Sequence, residues 1–202
     1  MERNNSQARE NDLRAIQRCL SGNPNAFEEL VVRYQKPVYN LAYRLLGNTE
    51  DAKDITQETF VKAYQSLHTH NPELKFSSWL FRIAHNLSID QLRWKKLRQH
   101  VSIDAEFADD SDSYEGEMLQ REIADEAPDA RTVLSGKQKS ERILRVMNSL
   151  PEKYRTVIIL RHIEDLSLEE IAQVLQLPVG TVKTNLFRAR MLMKEKLGNE
   201  SR

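Results

Sequence analysis

SLEEIAQVLQLPVGTVKTNLFRAR, residues 167–190, decides how the rest of this 202-residue chain is read. Ser167 and Glu170 stand three apart ahead of Ile171, Ala172 and Leu175, the spacing of a capping box that opens a short helix. Pro178, Val179 and Gly180 predict a tight turn. A second helix, Thr181 to Leu197, then carries Val182, Leu186, Ala189, Met193 and Leu197 on one apolar stripe. Ala172 is small where two such helices cross, and Met191 falls outside the stripe. Away from it lie Thr181, Lys183, Thr184, Asn185, Arg188, Arg190 and Lys194. Lys and Arg neutralise phosphates, while Thr, Asn and Arg also reach base edges. The backbone donors at a helix N-terminus add a further phosphate contact. The expectation is a helix-turn-helix whose second helix reads duplex DNA. The plainer alternative is a helical hairpin with a solvated basic face.

A DNA reader with no net charge is a puzzle, and the chain carries 30 cations against 30 carboxylates. The distribution resolves part of it. Residues 75–99 hold six cations and one anion, Asp90; residues 101–129 hold eleven carboxylates and one cation, Arg121; from Lys137 onward there are thirteen cations and eight anions. Two positive blocks flank a negative one, which is information about partners and not about fold.

Composition excludes several classes. Six Gly and six Pro are few for an all-β protein. Thr156 to Leu160 is typical of the longest apolar runs, far short of a membrane span. The N-terminus, MERNNSQARENDLR, has no signal-like apolar segment. One cysteine, Cys19, permits neither an internal disulfide nor a cysteine metal cluster, so a cytoplasmic location is expected. Cys19 belongs to a short helical pattern with Leu13, Ile16 and Leu20 and reads as a small, partly buried residue. Neither a cofactor nor a metal is expected: His68 and His70 lack further ligands, and there is no Gly-rich phosphate loop.

Upstream, residues 26–46 place Phe27, Leu30, Val31, Tyr34, Val38, Leu41, Ala42 and Leu45 on one helix face, with a kink expected at Pro37. Gly47 ends that helix and Asn48 caps the next. The second helix runs to about Leu67 with Ile55, Thr59, Ala63 and Leu67 inward and Asp51, Asp54, Gln57 and Glu58 outward. An acidic patch repels phosphate and suits a protein partner. A third helix, about Ser77 to Gln99, has Leu80, Ile83, Ala84 and Leu87 on its apolar face. Phe76, Trp79, Phe81 and Trp94 are interleaved with cations, and aromatics beside cations suit an unstacked single strand. Trp79 reads as core; the loop from His70 to Lys75 is the better candidate for a flipped base. Residues 101–135 read as an acidic flexible linker. The expected fold is all-α: two small helical domains, 10–100 and 136–202, with the helix-turn-helix in the second.

DAKDITQETFVKAYQSL, then FSSWLFRIAHNLSIDQLR, then LPEKYRTVIILRHIEDLSLEEIAQVLQLPVGTVKTNLFRAR together resemble a bacterial RNA polymerase sigma factor of the extracytoplasmic-function (ECF) group, over residues 10–197. The resemblance implies docking of Asp54, Gln57 and Glu58, with Asp51 nearby, on core RNA polymerase. It implies opening and reading of the promoter −10 element by residues 70–76 and by the helix bearing Asn86, Asp90 and Arg93. Lys75, Phe76 and Lys96 belong to that set. Lys183, Thr184, Asn185 and Arg188 fall on the −35 recognition helix, where Asn185 stands in place of a cation found in many relatives. An anti-sigma partner, commonly at the membrane, is also implied. The rival readings are a stand-alone regulator that binds duplex operators as a dimer, a helical enzyme, and an interaction scaffold.

Overall fold

The computed structural model describes residues 2–103 and 142–199, and every regular element among them is helical. The elements are α1 (Glu2–Leu20), α2 (Ala26–Leu46), α3 (Thr49–Gln65), a 3-10 turn (Leu67–Thr69), α4 (Phe76–Ile103), α5 (142–148), α6 (Glu152–His162), α7 (Leu168–Leu175) and α8 (Val179–Asn199). The acidic segment lies outside the described residues from 104 on. Its first three positions, 101–103, continue α4, so this helix outruns its expected end.

Local chemistry sets most boundaries. Gly47 closes α2 in the left-handed conformation (φ 71°) and donates its N–H to the Tyr43 carbonyl, a geometry that costs glycine no Cβ clash. Asn48 caps α3 by accepting from the Asp51 N–H at 3.0 Å, a contact worth about 1 kcal/mol. α2 runs unbroken through Pro37. Pro151 serves as the cap of α6, its carbonyl accepting from Tyr154 and Arg155.

The helices bury the faces that their spacing marks. Leu30, Val38, Leu41 and Ala42 on α2 are fully buried, as are Thr59 and Ala63 on α3, Leu80 and Ala84 on α4, and Val182 and Ala189 on α8. α1 adds Ala15 and Ile16 and a buried carboxylate, Asp12, bonded to Arg33 and to the Tyr34 hydroxyl (2.6 Å). Burial raises the Asp12 pKa against the pull of Tyr34 and Arg33. The pair survives burial because both carboxylate oxygens have partners.

The two halves are not held apart. α7 packs on α4, and α6 packs on α2. One buried cluster runs from Ala15 through Leu80 and Phe81 to Ile171 and Ala189. Lys75, in the loop just before α4, pairs with Glu170 of α7 at 2.5 Å. Glu164, between α6 and α7, faces Arg44 of α2; burial pushes its pKa up to about 7, only partly offset by that guanidinium. Burial in turn lowers the pKa of Arg44.

Candidate nucleic-acid interface

Ser167 accepts from the Glu170 N–H at 3.1 Å and Glu170 accepts from the Ser167 N–H at 2.7 Å, so the capping box closes in both directions. The turn, however, comes earlier than Pro178 to Gly180. Gln176 takes the left-handed conformation (φ 53°), and the Pro178 carbonyl accepts from Thr181 and Val182, which makes Val179 and Gly180 the first turn of α8. A proline carbonyl can start a helix as well as any other, and the ring sits outside the helix where its missing N–H costs nothing. Gly180 is an ordinary helical residue with open space around its Cα.

α8 then divides as its spacing predicts. Val182, Leu186 and Ala189 are buried, Met193 packs against them, and Met191 is exposed. Thr181, Lys183, Thr184, Arg188 and Arg190 are exposed and Asn185 half-buried. Thr184 donates its hydroxyl to the Gly180 carbonyl at 3.0 Å. Arg190 lies 3.2 Å from the His162 ring nitrogen. The Arg188 guanidinium beside the Tyr154 phenol lowers its pKa. Phe187, 65% exposed, stands one turn from both Lys183 and Met191 on the outer face. Nothing in the helical stripe demands an aromatic there, and that surplus is the signal by which the sequence marks it. Apolar side chains in a major groove contact thymine methyls.

The first half is less simple. Asn86 and Asp90, with Lys62, His68, Ile83 and Leu87, line an open cleft of about 460 Å³ between α3 and α4. Arg93 and Lys96 are exposed beyond it, Arg93 lying 3.6 Å from Asp90. Trp94, 48% exposed, carries the Arg98 guanidinium 3.8 Å above its ring. Phe76 departs from expectation. It is 2% exposed, packed among Tyr34, His70 and Trp79 at centroid distances of 5.6, 5.7 and 5.6 Å. A ring so enclosed cannot stack on a base; its burial anchors the start of α4. Trp79 is core, as expected, and His70 joins it, with burial lowering the His70 pKa. The exposed part of the loop is Asn71, Pro72 and Glu73.

On α3, Asp54, Gln57 and Glu58 are exposed. Asp51 is not free with them: it turns onto α4, accepting from Gln91 at 3.2 Å and from Lys95. The cationic helix end that was to meet DNA captures a carboxylate from its neighbour. Cys19 is half-buried, and burial raises its thiol pKa, which disfavours the thiolate. Among the described residues no group of three or more His, Cys, Asp or Glu side chains converges as a metal would require, and no helix is long and apolar enough to cross a membrane.

Residues 30–98 match the model of sigma-70 region 2, and residues 140–193 that of sigma-70 region 4. The chain belongs to the sigma-70 family. It is 39% identical to the ECF RNA polymerase sigma factor SigW of Bacillus subtilis, over 90% of this chain and 94% of that one. It is 35% identical to the RNA polymerase sigma-H factor of Pseudomonas aeruginosa, over 90% and 91%. Among solved structures, CnrH in complex with the cytosolic domain of CnrY superposes with a TM-score of 0.63 at 26% identity, covering 95% of this chain and 97% of that one. The sigma factor RpoE of Bartonella quintana, solved with the anti-sigma factor NepR, has the same fold, with a TM-score of 0.63 at 22% identity over 85% and 96%. As an ECF sigma factor this protein binds RNA polymerase and directs promoter-specific initiation of transcription.

Proposed function

We propose that the sigma factor divides its work as follows. α8 enters the −35 major groove with Thr181, Lys183, Thr184, Asn185, Arg188 and Arg190, phosphates being met by the cations and bases by Asn185 and Arg188. The exposed loop tip, Asn71 to Glu73, and the α3–α4 cleft, with Asn86 and Asp90, take bases from the opened −10 element, while Arg93 and Lys96 follow the strand. Lys75 joins them once it is released from Glu170. Asp54, Gln57 and Glu58 dock on core polymerase, with Asp51 holding α4 in place behind them. The protein works in the cytoplasm, beside the polymerase it serves. It places the enzyme and catalyses no step itself. An anti-sigma protein, of the kind solved with RpoE, is its expected inhibitor.

The observation that carries this division is the exposed cationic face of α8 set against an α3 face of opposite charge. It also requires a change of shape. The −10 and −35 elements lie about 25 base pairs apart, or about 85 Å of B-form DNA. The two halves touch, through Lys75 and Glu170 at 2.5 Å. One promoter cannot hold both readers until the halves part. Residues 104–141 can bridge at most about 125 Å, enough for the separation. Asp54, Gln57 and Glu58 are exposed before it occurs, so docking can come first.

The test is reconstituted transcription with core polymerase and a promoter library. Asp54→Lys is expected to weaken core binding while leaving the thermal transition unchanged. Normal core affinity for that variant removes the α3 face from the docking surface. Tight promoter binding by the free protein at physiological salt, equal to that of the polymerase complex, contradicts the need for separation.

A further inference from the structure

α1 lies outside both matched regions, yet it touches the loop that precedes α4. A terminal nitrogen of Arg9 donates to the Pro72 carbonyl at 3.2 Å and the Glu73 carbonyl at 2.8 Å. These carbonyls belong to the exposed tip of the loop. Three residues further along the same face of α1, Asp12 accepts from the Tyr34 hydroxyl, and the Tyr34 ring packs against Phe76, where the loop ends. The loop's own bonds are few: Glu73 N–H to the Asn71 side chain at 2.9 Å, and Leu74 N–H to the Asn71 carbonyl at 3.0 Å. His70 closes its other end against Phe76 and Trp79. Both ends of the loop are therefore held by packing, and its tip is held by one side chain from another helix.

We infer that Arg9 is a positioning residue for −10 recognition: it clamps the Asn71–Glu73 tip in the shape that meets the opened strand, and so makes α1 part of the specificity apparatus. The physical reason lies in the donor geometry. A guanidinium presents several N–H groups in a rigid fork and stays charged at every relevant pH. Bonds from a charged donor to backbone carbonyls are stronger than neutral ones. Arg9 is itself exposed, so the clamp can be removed without opening a cavity. The inference rests on the proposal that the 70–76 loop reads the −10 element.

The experiment uses the full chain in complex with core polymerase and two promoter libraries, one varied in the −10 element and one in the −35 element. Arg9→Ala is expected to flatten −10 base preference by on the order of tenfold, with core affinity, −35 preference and melting temperature unchanged. Arg9→Lys restores most of the preference, since an ammonium also donates to both carbonyls. Hydrogen exchange at 73–75 is expected to quicken in Arg9→Ala. A double replacement of the tip, Asn71→Ala with Glu73→Ala, separates the two ideas. If it shifts −10 preference and Arg9→Ala does not, the clamp is overturned and the loop reading stands. If neither shifts it, the loop reading falls and the clamp falls with it. An equal loss at both elements for Arg9→Ala also overturns the inference, because it marks a merely structural role.

Discussion

α8 and the segment 70–76 are both proposed to meet promoter DNA, and they could hardly be presented more differently. α8 shows its cations and its Phe187 to solvent and buries only Val182, Leu186 and Ala189. The segment 70–76 buries His70 and Phe76 and gives Lys75 to Glu170. The first is a finished reading head. The second is covered on one side by the very domain that carries the first. Duplex reading needs only a rigid helix with the right side chains, so nothing is lost by displaying it. Strand opening exposes bases wherever it acts, and a protein that opened DNA unprompted would bind single strands at random. On the proposed division, the difference teaches that one reader is always available and that the other depends on domain separation.

The comparison breaks most visibly at Phe76. As a core anchor, Phe76→Ala is expected to cost about 3–5 kcal/mol and to impair transcription from duplex and pre-melted promoters alike. Phe76→Leu keeps most of the volume and costs much less. Chemical denaturation and transcription on the two templates check this. A variant that keeps full stability yet fails only on duplex promoters returns Phe76 to the set of base-stacking residues.

Arg188 tests the displayed reader. Arg188→Ala should lose about 1–3 kcal/mol of discrimination at one −35 position if the guanidinium meets a base. It also releases the Tyr154 phenol, whose pKa then moves back up toward its ordinary value, because the lowering comes first from Arg188. A spectrophotometric titration of the tyrosines reads that shift. Binding weakened equally at all sequences, with a shallower salt dependence, assigns Arg188 to phosphate instead.

Most of this was legible in the chain because it is local. Helical stripes, Asn48, Gly47 and the Ser167–Glu170 box are decided within four residues. The left-handed Gln176 was not: a glycine four positions on offered a more obvious turn, and only the hydrogen bonds to the Pro178 carbonyl show where α8 begins. The docking of the two halves is non-local and leaves only an indirect trace. α4 carries Phe76, Trp79, Phe81 and Ile89 besides its stripe of Leu80, Ala84 and Leu87, and all are buried. One apolar face needs one cover; apolar residues on several faces need a second, and α7 supplies it. The tie of Asp51 to α4 is hidden for the same reason, since Lys95 lies 44 residues away.

The contact between halves has its own pH signature, carried by Glu164. Its pKa in the packed form, about 7, exceeds the ordinary 4.5. The packed form therefore takes up a proton between those values. Packing is strongest below pH 4.5 and weakens as pH rises toward 7, where the full cost of the buried charge is reached. Glu164→Gln imitates the protonated acid, so it should raise the melting temperature at pH 8 and leave it unchanged near pH 4. At 1.36 kcal/mol per unit, discounted for partial exposure, the gain is about 1–2 kcal/mol. His85, whose pKa burial lowers, works in the opposite direction, its contribution being lost as pH falls below the ordinary 6.5, which is why the variant and not the wild-type profile isolates the carboxylate. Equal stabilisation at both pH values would show that its charge is not involved.

The smallest expected effect is the most direct test of the covered reader. Glu170 has two duties: it completes the cap of α7 through Ser167 and it holds Lys75. Gln at N3 serves a capping box as well as Glu, so Glu170→Gln keeps the helix and removes the ion pair. The Lys75 and Glu170 side chains are 32% and 12% exposed, and replacing one charge of a mostly covered pair by an amide that still accepts from the ammonium costs on the order of 1 kcal/mol. That is a few-fold shift in the balance between joined and separated halves. It should appear as a lower energy-transfer efficiency between dyes on the two domains, and it should shrink only modestly at high salt, because salt screens a partly buried pair less than an exposed one. Lys75→Gln loosens the same contact but also takes a cation from the −10 strand. If both ideas hold, Glu170→Gln gains open complexes on a weak promoter while Lys75→Gln does not. Identical behaviour of the two variants would mean that Lys75 serves the domain contact alone and never reaches DNA.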